Sequence, residues 1–374
     1  MGLALQKTLA LLLLILLGFT LRRKINAREK IDGIKTLILS VALPAMIFVA
    51  LLKIDVEPAL LILPVLALGF NLIMLTASRY ILPVFGVKKD APGLRTLMML
   101  LPSLAPGLSC FPFIITYLGD EPLAWAALAD VGNKVFVLIV LYLWAMRWYY
   151  RRQSSQPGVN RGSKIRDLLL SLVKEPVNMV IITALLLLSF NMNMQSLPGF
   201  FQDSILKVSA IMTPLVLIFI GLAVKIKWQD FRLICSLLAW RAGAAFFLSA
   251  ILLSLLAVKS PAMILLIVVF PQSATSFWPF AHMSAVNNLE DKNATQDSKK
   301  TFDLELSLAV LACSLPFSSI LILMIFSMGG FFATPSNLVL TGSGFFLLAA
   351  APLLIRQFSK QRVGSISDQE KVSA

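Results

Sequence analysis

An all-α polytopic membrane protein of ten or eleven helices is the fold class that the sequence predicts, on three observations. Hydrophobic residues make up 58% of the 374 positions and charged residues only 14%, with a mean hydropathy of +0.85. Soluble domains carry roughly a quarter charged residues. Stretches of about twenty apolar residues, the length that crosses a ~30 Å hydrocarbon core as a helix, recur along the chain between short polar connections. Runs such as Leu11 to Leu17 and Ile181 to Leu188 do not alternate apolar with polar, as strands of a membrane barrel must.

Hydropathy and breaker residues place spans at 3–21, 34–52, 59–82, 96–118, 123–146, 176–193, 205–224, 233–257, 262–284 and 304–328. An eleventh, weaker stretch covers 337–355. The first span has no basic leader and no small-residue cleavage site, so it reads as a retained helix. The five-span unit 1–146 is separated from a second unit, 176–328, by the basic linker 147–175. The extra hydrophobic segment 329–355 and a flexible tail 356–374 follow. Cys110, Cys235 and Cys313 lie in apolar stretches without metal-ligand or disulfide spacing and read as packing residues.

The +14 charge orients the chain in a membrane and calls for no nucleic-acid partner. Of the 33 lysines and arginines, all but six fall in alternate connections: 22–35, 79–95, 147–175, 225–232, 285–303 and the tail. Lys7, Lys53, Lys207 and Lys259 lie on the opposite side, and Lys134 and Arg241 lie inside spans. This asymmetry puts the N-terminus outside and the central basic loop in the cytoplasm, in a cell (inner or plasma) membrane.

The two five-span units carry matched punctuation. The second and seventh spans each hold a proline in apolar company, Pro44 and Pro214. The fourth span is interrupted at Pro102, Pro106 and Pro112, and the ninth at Pro271 and Pro279. An odd number of spans per unit inverts the second unit relative to the first, the arrangement of many secondary transporters, in which broken helices at corresponding positions mark the site. Proline removes a backbone donor and blocks a carbonyl four residues back, so such segments must face protein or a wet cavity. The candidate binding residues are therefore Pro106, Gly107, Ser109 and Pro112 in the fourth span and Pro271, Gln272, Ser273 and Thr275 in the ninth. Ser103 and Ser276 are interleaved with them.

Ionisable side chains inside spans cost ~3 kcal/mol or more and are candidates for function. Asp130 and Lys134 in the fifth span are four residues apart and share a helix face with Asn133 close by. At 1.5 Å per residue Lys134 lies about 16 Å into the span. The pair can exchange a proton, release the lysine to an anion, or act as a permanent structural link. Arg241 lies about 12 Å into the eighth span. It suits a carboxylate if it faces a cavity, whereas a snorkelling arginine beside Trp240 is the plainer alternative. His282, the single histidine, reads as an interfacial polar residue with proton handling as the sharper alternative, and Asn71 reads as an interhelical hydrogen-bonding residue.

Over residues 1 to about 328 the chain resembles the auxin efflux carrier family of membrane permeases. The resemblance lies in the basic turn before Ala42-Leu-Pro-Ala-Met-Ile-Phe48, the Gly107 to Pro112 segment, Pro214 to Leu222, and the run from Pro271 to His282. It implies two inverted five-helix repeats, on a plan shared with sodium-proton antiporters, divided into a scaffold and a transport part. The fourth and ninth helices then unwind and cross at prolines beside the substrate. The chain departs from the family where Ala105 replaces its usual asparagine and Cys110 a glycine, which removes the usual polar substrate contact.

The expected function is a secondary permease that moves a small organic anion by alternating access, with Lys134 and Arg241 supplying positive charge and Asp130, Asn133 and Lys134 the coupling. A sodium-proton antiporter and a non-transporting membrane receptor are the alternatives. Without a phosphate-cradling glycine loop, a nucleophile with its base, or clustered metal ligands, neither an enzyme, a cofactor nor a metal is expected. Coupling to protons or sodium stays open. The expected partners are the anionic substrate and membrane lipid, and a homodimer is compatible with the sequence.

Overall fold

The computed structural model describes residues 3–25, 27–53, 58–152, 176–190, 192–223, 231–256, 258–292 and 300–352. Most of the basic linker, 153–175, and the whole tail fall outside the described residues. The described part is helical and contains no strand. Among the described residues six helices are long and apolar enough to cross a membrane: Glu29–Leu51, Ile62–Ile81, Asp120–Tyr149, Gly199–Leu222, Phe231–Leu255 and Leu304–Ser327. Large apolar side chains such as Leu13, Val65, Leu255 and Leu347 are more than half exposed on the outside. This is the surface of an α-helical, membrane-embedded protein.

The first five spans form as follows. α1 (Leu3–Leu21) is uninterrupted. α2 (Arg28–Leu37) is amphipathic and starts earlier than the apolar pattern alone indicates, because its first turns carry charge and still continue the helix. It runs through a π turn, Ile38–Ala42, into α3 (Leu43–Leu51). Pro44 explains the π turn. Its ring crowds the carbonyl four residues back, and the wider turn lets Leu43 N–H reach the Ile38 carbonyl instead. α4 (Ile62–Ile81) follows a 3-10 turn, Pro58–Leu61. The fourth span is three pieces, α5 (Pro92–Leu100), α6 (Pro106–Ser109) and α7 (Phe111–Tyr117). Gly119, at φ 95, makes the left-handed turn into α8 (Asp120–Val135). A second π turn, Phe136–Val140, joins α8 to α9 (Leu141–Arg152), which carries the fifth span past the expected end at 146 because Arg147, Arg151 and Arg152 continue the helix.

The second set begins with α10 (Pro176–Ser189). The seventh span starts earlier than expected and is two helices, α11 (Gly199–Ala210) and α12 (Met212–Ala223), parted at Ile211 just before Pro214. α13 (Phe231–Leu255) is continuous. The ninth span is broken into α14 (Pro261–Val269), a 3-10 turn Phe270–Gln272, and α15 (Trp278–Lys292). α16 (Leu304–Ser327) is capped by Asp303, whose Oδ1 accepts the Leu306 N–H at 3.0 Å. The eleventh stretch is a helix over 335–352, α17.

Packing is set by small residues at crossing points. α1 lies along α12 with Gly18 and Gly221 in contact: a Cβ on Gly18 would meet the Ile218 carbonyl oxygen at 2.1 Å. α4 lies along α8, where a Cβ on Gly132 would stand 1.8 Å from the Pro64 carbonyl oxygen. α3 takes both α10 and α11 on its flanks. α17 docks on α13 through Gly243 and Gly342, flanked by stacked Phe247 and Phe346 at 5.3 Å. Without a hydrophobic drive between helices in lipid, close backbone approach at such residues supplies the packing.

Candidate functional site

The breaks in the fourth and ninth spans face each other at the centre of the protein. Ala105 N–H donates to the Ala274 carbonyl at 2.7 Å. Ala274 N–H donates to Ser109 Oγ at 2.8 Å, and Ser276 N–H to Ser103 Oγ at 3.0 Å. Each of those hydroxyls donates in turn within the fourth span, Ser103 to the Leu100 carbonyl and Ser109 to the Ala105 carbonyl. Backbone groups released by the prolines are thus satisfied across the crossing, as the interior of a membrane requires.

Two helices supply the rest of the first break's partners. Asn133 on α8 binds Leu104 from both sides: its Oδ1 accepts the Leu104 N–H at 3.2 Å and its Nδ2 donates to the Leu104 carbonyl at 3.0 Å. Asn133 Nδ2 also donates to Asp130 Oδ1 at 2.8 Å, and Asn71 Nδ2 on α4 donates to Asn133 Oδ1 at 3.0 Å. Asp130 Oδ2 is 3.7 Å from Lys134 Nζ, and both side chains are buried. Arg241 on α13, 3% exposed, turns inward: Nε donates to the Leu101 carbonyl at 2.8 Å and a terminal nitrogen to the Ser103 carbonyl at 3.1 Å. It does not snorkel. A cation at the C-terminal end of α5 neutralises that end's partial negative charge while satisfying carbonyls that the helix has lost.

The second break is held by neutral groups. Gln272 Nε2 donates to the Ala242 carbonyl at 3.2 Å, and Ser273 Oγ to the Phe270 carbonyl at 2.6 Å. Thr275 N–H donates to Ser314 Oγ on α16 at 3.2 Å, and the two hydroxyls share a hydrogen bond at 2.7 Å.

Of the residues singled out from sequence, Pro106 and Pro112 open α6 and α7, where their missing N–H is harmless, and Pro271 sits in the 3-10 turn. Gly107 meets span two, since a Cβ there would lie 2.7 Å from Leu43 Cδ2. Ser109, Gln272, Ser273 and Thr275 are all buried and engaged in the bonds above. His282 is partly buried, its Nε2 bonded at 2.9 Å to the Val137 carbonyl within the second π turn, so it caps a carbonyl freed by that turn. Ser314 was missed by sequence reasoning. Its signal is a hydroxyl two residues before Pro316, the proline inside that span. Beside the crossing, Lys35 on α2 stands over the Phe277 ring at 3.4 Å, and at the other end of span two Lys53 Nζ pairs with Asp120 Oδ2 at 2.9 Å.

Two buried cations and one carboxylate therefore surround a crossing of broken helices whose polar groups are internally paired. Among the described residues no cluster of histidine, cysteine and acidic side chains could hold a metal ion. Neither a scan against protein-family models nor a search of curated proteins matches this chain, so the family resemblance rests on its motif residues alone.

Proposed function

We propose that the protein is a secondary transporter that moves a small organic anion by alternating access, with the anion at the crossing of the fourth and ninth spans. The observation that carries this reading is the Ala105 to Ala274 hydrogen bond. Ala105 is the third residue after Pro102 and Ala274 the third after Pro271, which supports reading them as equivalent positions of two inverted halves. The helix contacts support the same symmetry. Exchanging the halves carries the contact of α1 with α12, spans one and seven, onto the contact of α10 with α3, spans six and two. Such an inverted pair supplies two half-structures of similar energy, the requirement for a site that opens to either side.

In this reading Lys134 is the cation available to a carboxylate. Asp130, with which it pairs, is also held by Asn133, so the lysine can exchange partners without leaving Asp130 bare. Arg241 positions the broken end of α5 and contributes positive potential. The spans containing α1 to α3 and α10 to α12 form the scaffold, and the remaining spans, through α16, move. The Lys53 to Asp120 pair and the Lys35 to Phe277 contact bridge the two parts at opposite ends of span two and must break as they slide. The N-terminus lies outside and the basic linker in the cytoplasm.

Thermal unfolding in nanodiscs against mono- and dicarboxylates and indole acids tests the reading. Stabilisation grows as RT ln(1 + [L]/Kd), so one class of anion should raise Tm in a concentration-dependent way. The shift should vanish in Lys134→Ala, and the same anion should show counterflow in proteoliposomes. No shift across the panel rejects an organic-anion carrier. Binding without counterflow would favour a membrane receptor, a reading supported by Ala105 standing where the resembled family carries a polar contact.

A further inference from the structure

A groove of about 320 Å³ opens between α4, α13 and α14, on the outer flank of the helices that hold the crossing. It starts at the α13 to α14 turn, beside Leu255 and Met263, and runs inward to Phe270 and Pro271. Over the nine residues of α14 that is about 13 Å, close to half the hydrocarbon thickness. Val65 and Ile73 on α4 and Ile251 on α13 line it while remaining more than half exposed. Two of its three walls belong to helices long and apolar enough to span a membrane, so its mouth faces hydrocarbon rather than water.

The lining has one polar side chain, Ser249, and its hydroxyl already donates to the Ile267 carbonyl at 2.8 Å. Side-chain hydrogen bonding is therefore not on offer to an occupant. Gly69 forms part of the wall, and a Cβ there would meet nothing within 4 Å, so the space over it is open. At the end of the groove the turn between Leu255 and Pro261 carries Lys259, which is exposed. A narrow hydrocarbon slot with a basic residue at its membrane-surface end has the charge and polarity pattern of a phospholipid.

We propose that the groove is a phospholipid site that takes one acyl chain, with the headgroup phosphate paired to Lys259. The chain end then rests on Phe270 and Pro271, the first residues of the break in the ninth span, which links the lipid's presence to the packing of the crossing.

The test uses full-length protein in nanodiscs made with a phospholipid that carries a diazirine in its acyl chain, followed by irradiation and peptide mapping. Adducts should concentrate on the α4 and α14 segments that wall the groove. In Gly69→Phe, which fills the open space, their yield should fall to that of ordinary lipid-facing residues such as Leu13. Val65→Trp serves as the second filling variant if Gly69→Phe does not fold. Lys259→Glu should lower the yield with phosphatidylglycerol and leave the position of the adducts unchanged. Equal labelling of ordinary lipid-facing residues such as Leu13 and Leu347, insensitive to either filling variant, would mean a bulk annulus and overturn the proposal. So would an absence of adducts on the α4 and α14 segments, which would leave the groove without a lipid occupant.

Discussion

The two breaks that meet at the crossing solve one physical problem with different chemistry. Each exposes backbone groups that lipid cannot satisfy. The first break, Leu101 to Ala105, draws on a charged set: Arg241 takes two of its carbonyls, and Asn133, itself bound to Asp130, takes both polar groups of Leu104. The backbone of the second break, Phe270 to Phe277, has no charged hydrogen-bond partner: the Ala105 N–H, the Gln272 amide and serine and threonine hydroxyls hold it, and the one cation against it, Lys35, lies over the Phe277 ring. All the buried ionisable side chains placed at the crossing thus serve the first break. If the halves are inverted copies, their symmetry is one of backbone path, while the chemistry has been concentrated on one side. A neutral break can shift at little electrostatic cost, whereas the charged one is anchored to α8 and α13.

The contrast is most directly broken at Arg241. Arg241→Met removes two hydrogen bonds from a charged donor and leaves the Leu101 and Ser103 carbonyls unpaired in an apolar interior, an expected loss of about 3–6 kcal/mol. Gln272→Leu removes one neutral bond to the Ala242 carbonyl and should cost only about 1 kcal/mol. Reversible unfolding in mixed micelles measures both, and equal losses would show that the charge is incidental. Next in size comes Asn133→Leu. It strips Leu104 of two partners and Asp130 of one, for an expected loss of about 2–4 kcal/mol. Hydrogen exchange should also rise at Leu104 while the second break keeps its protection. Exchange rising equally at both breaks would mean that they open as one unit.

Local signals made much of this legible. Every described span lies close to where hydropathy puts it, because twenty apolar residues between polar turns have one stable use in a membrane. The breaks were legible for a similar reason: prolines at 102, 106, 112 and 271 announce lost backbone bonds wherever they occur. What replaces those bonds is set by contacts between residues far apart in sequence. Arg241 and Leu101 are separated by 140 positions, and an arginine 12 Å into a span is equally consistent, on local grounds, with snorkelling. The π turn at Ile38–Ala42 follows from Pro44, yet the one at Phe136–Val140 has no proline to announce it and is fixed by His282 from another span. The same limit applies to Gly132: nothing around it in sequence announces the Pro64 carbonyl it must clear.

The smallest expected effect is the most informative about the neutral break. Ser314 Oγ accepts the Thr275 N–H and is hydrogen-bonded to Thr275 Oγ1, so Ser314→Ala unpairs one buried backbone donor and one hydroxyl. Hydrogen bonds between membrane helices average about 0.6 kcal/mol, because the alternative state also finds partners, and a loss near about 1 kcal/mol is expected here. If the second break is the yielding element, this small loss should appear with a disproportionate rise in exchange at Thr275 and Ser276 and no change at Leu104. A loss of several kcal/mol, with exchange rising at Leu104 too, would show that the hydroxyl pair anchors the crossing as firmly as Arg241 does. The division between a fixed break and a movable one would then fail.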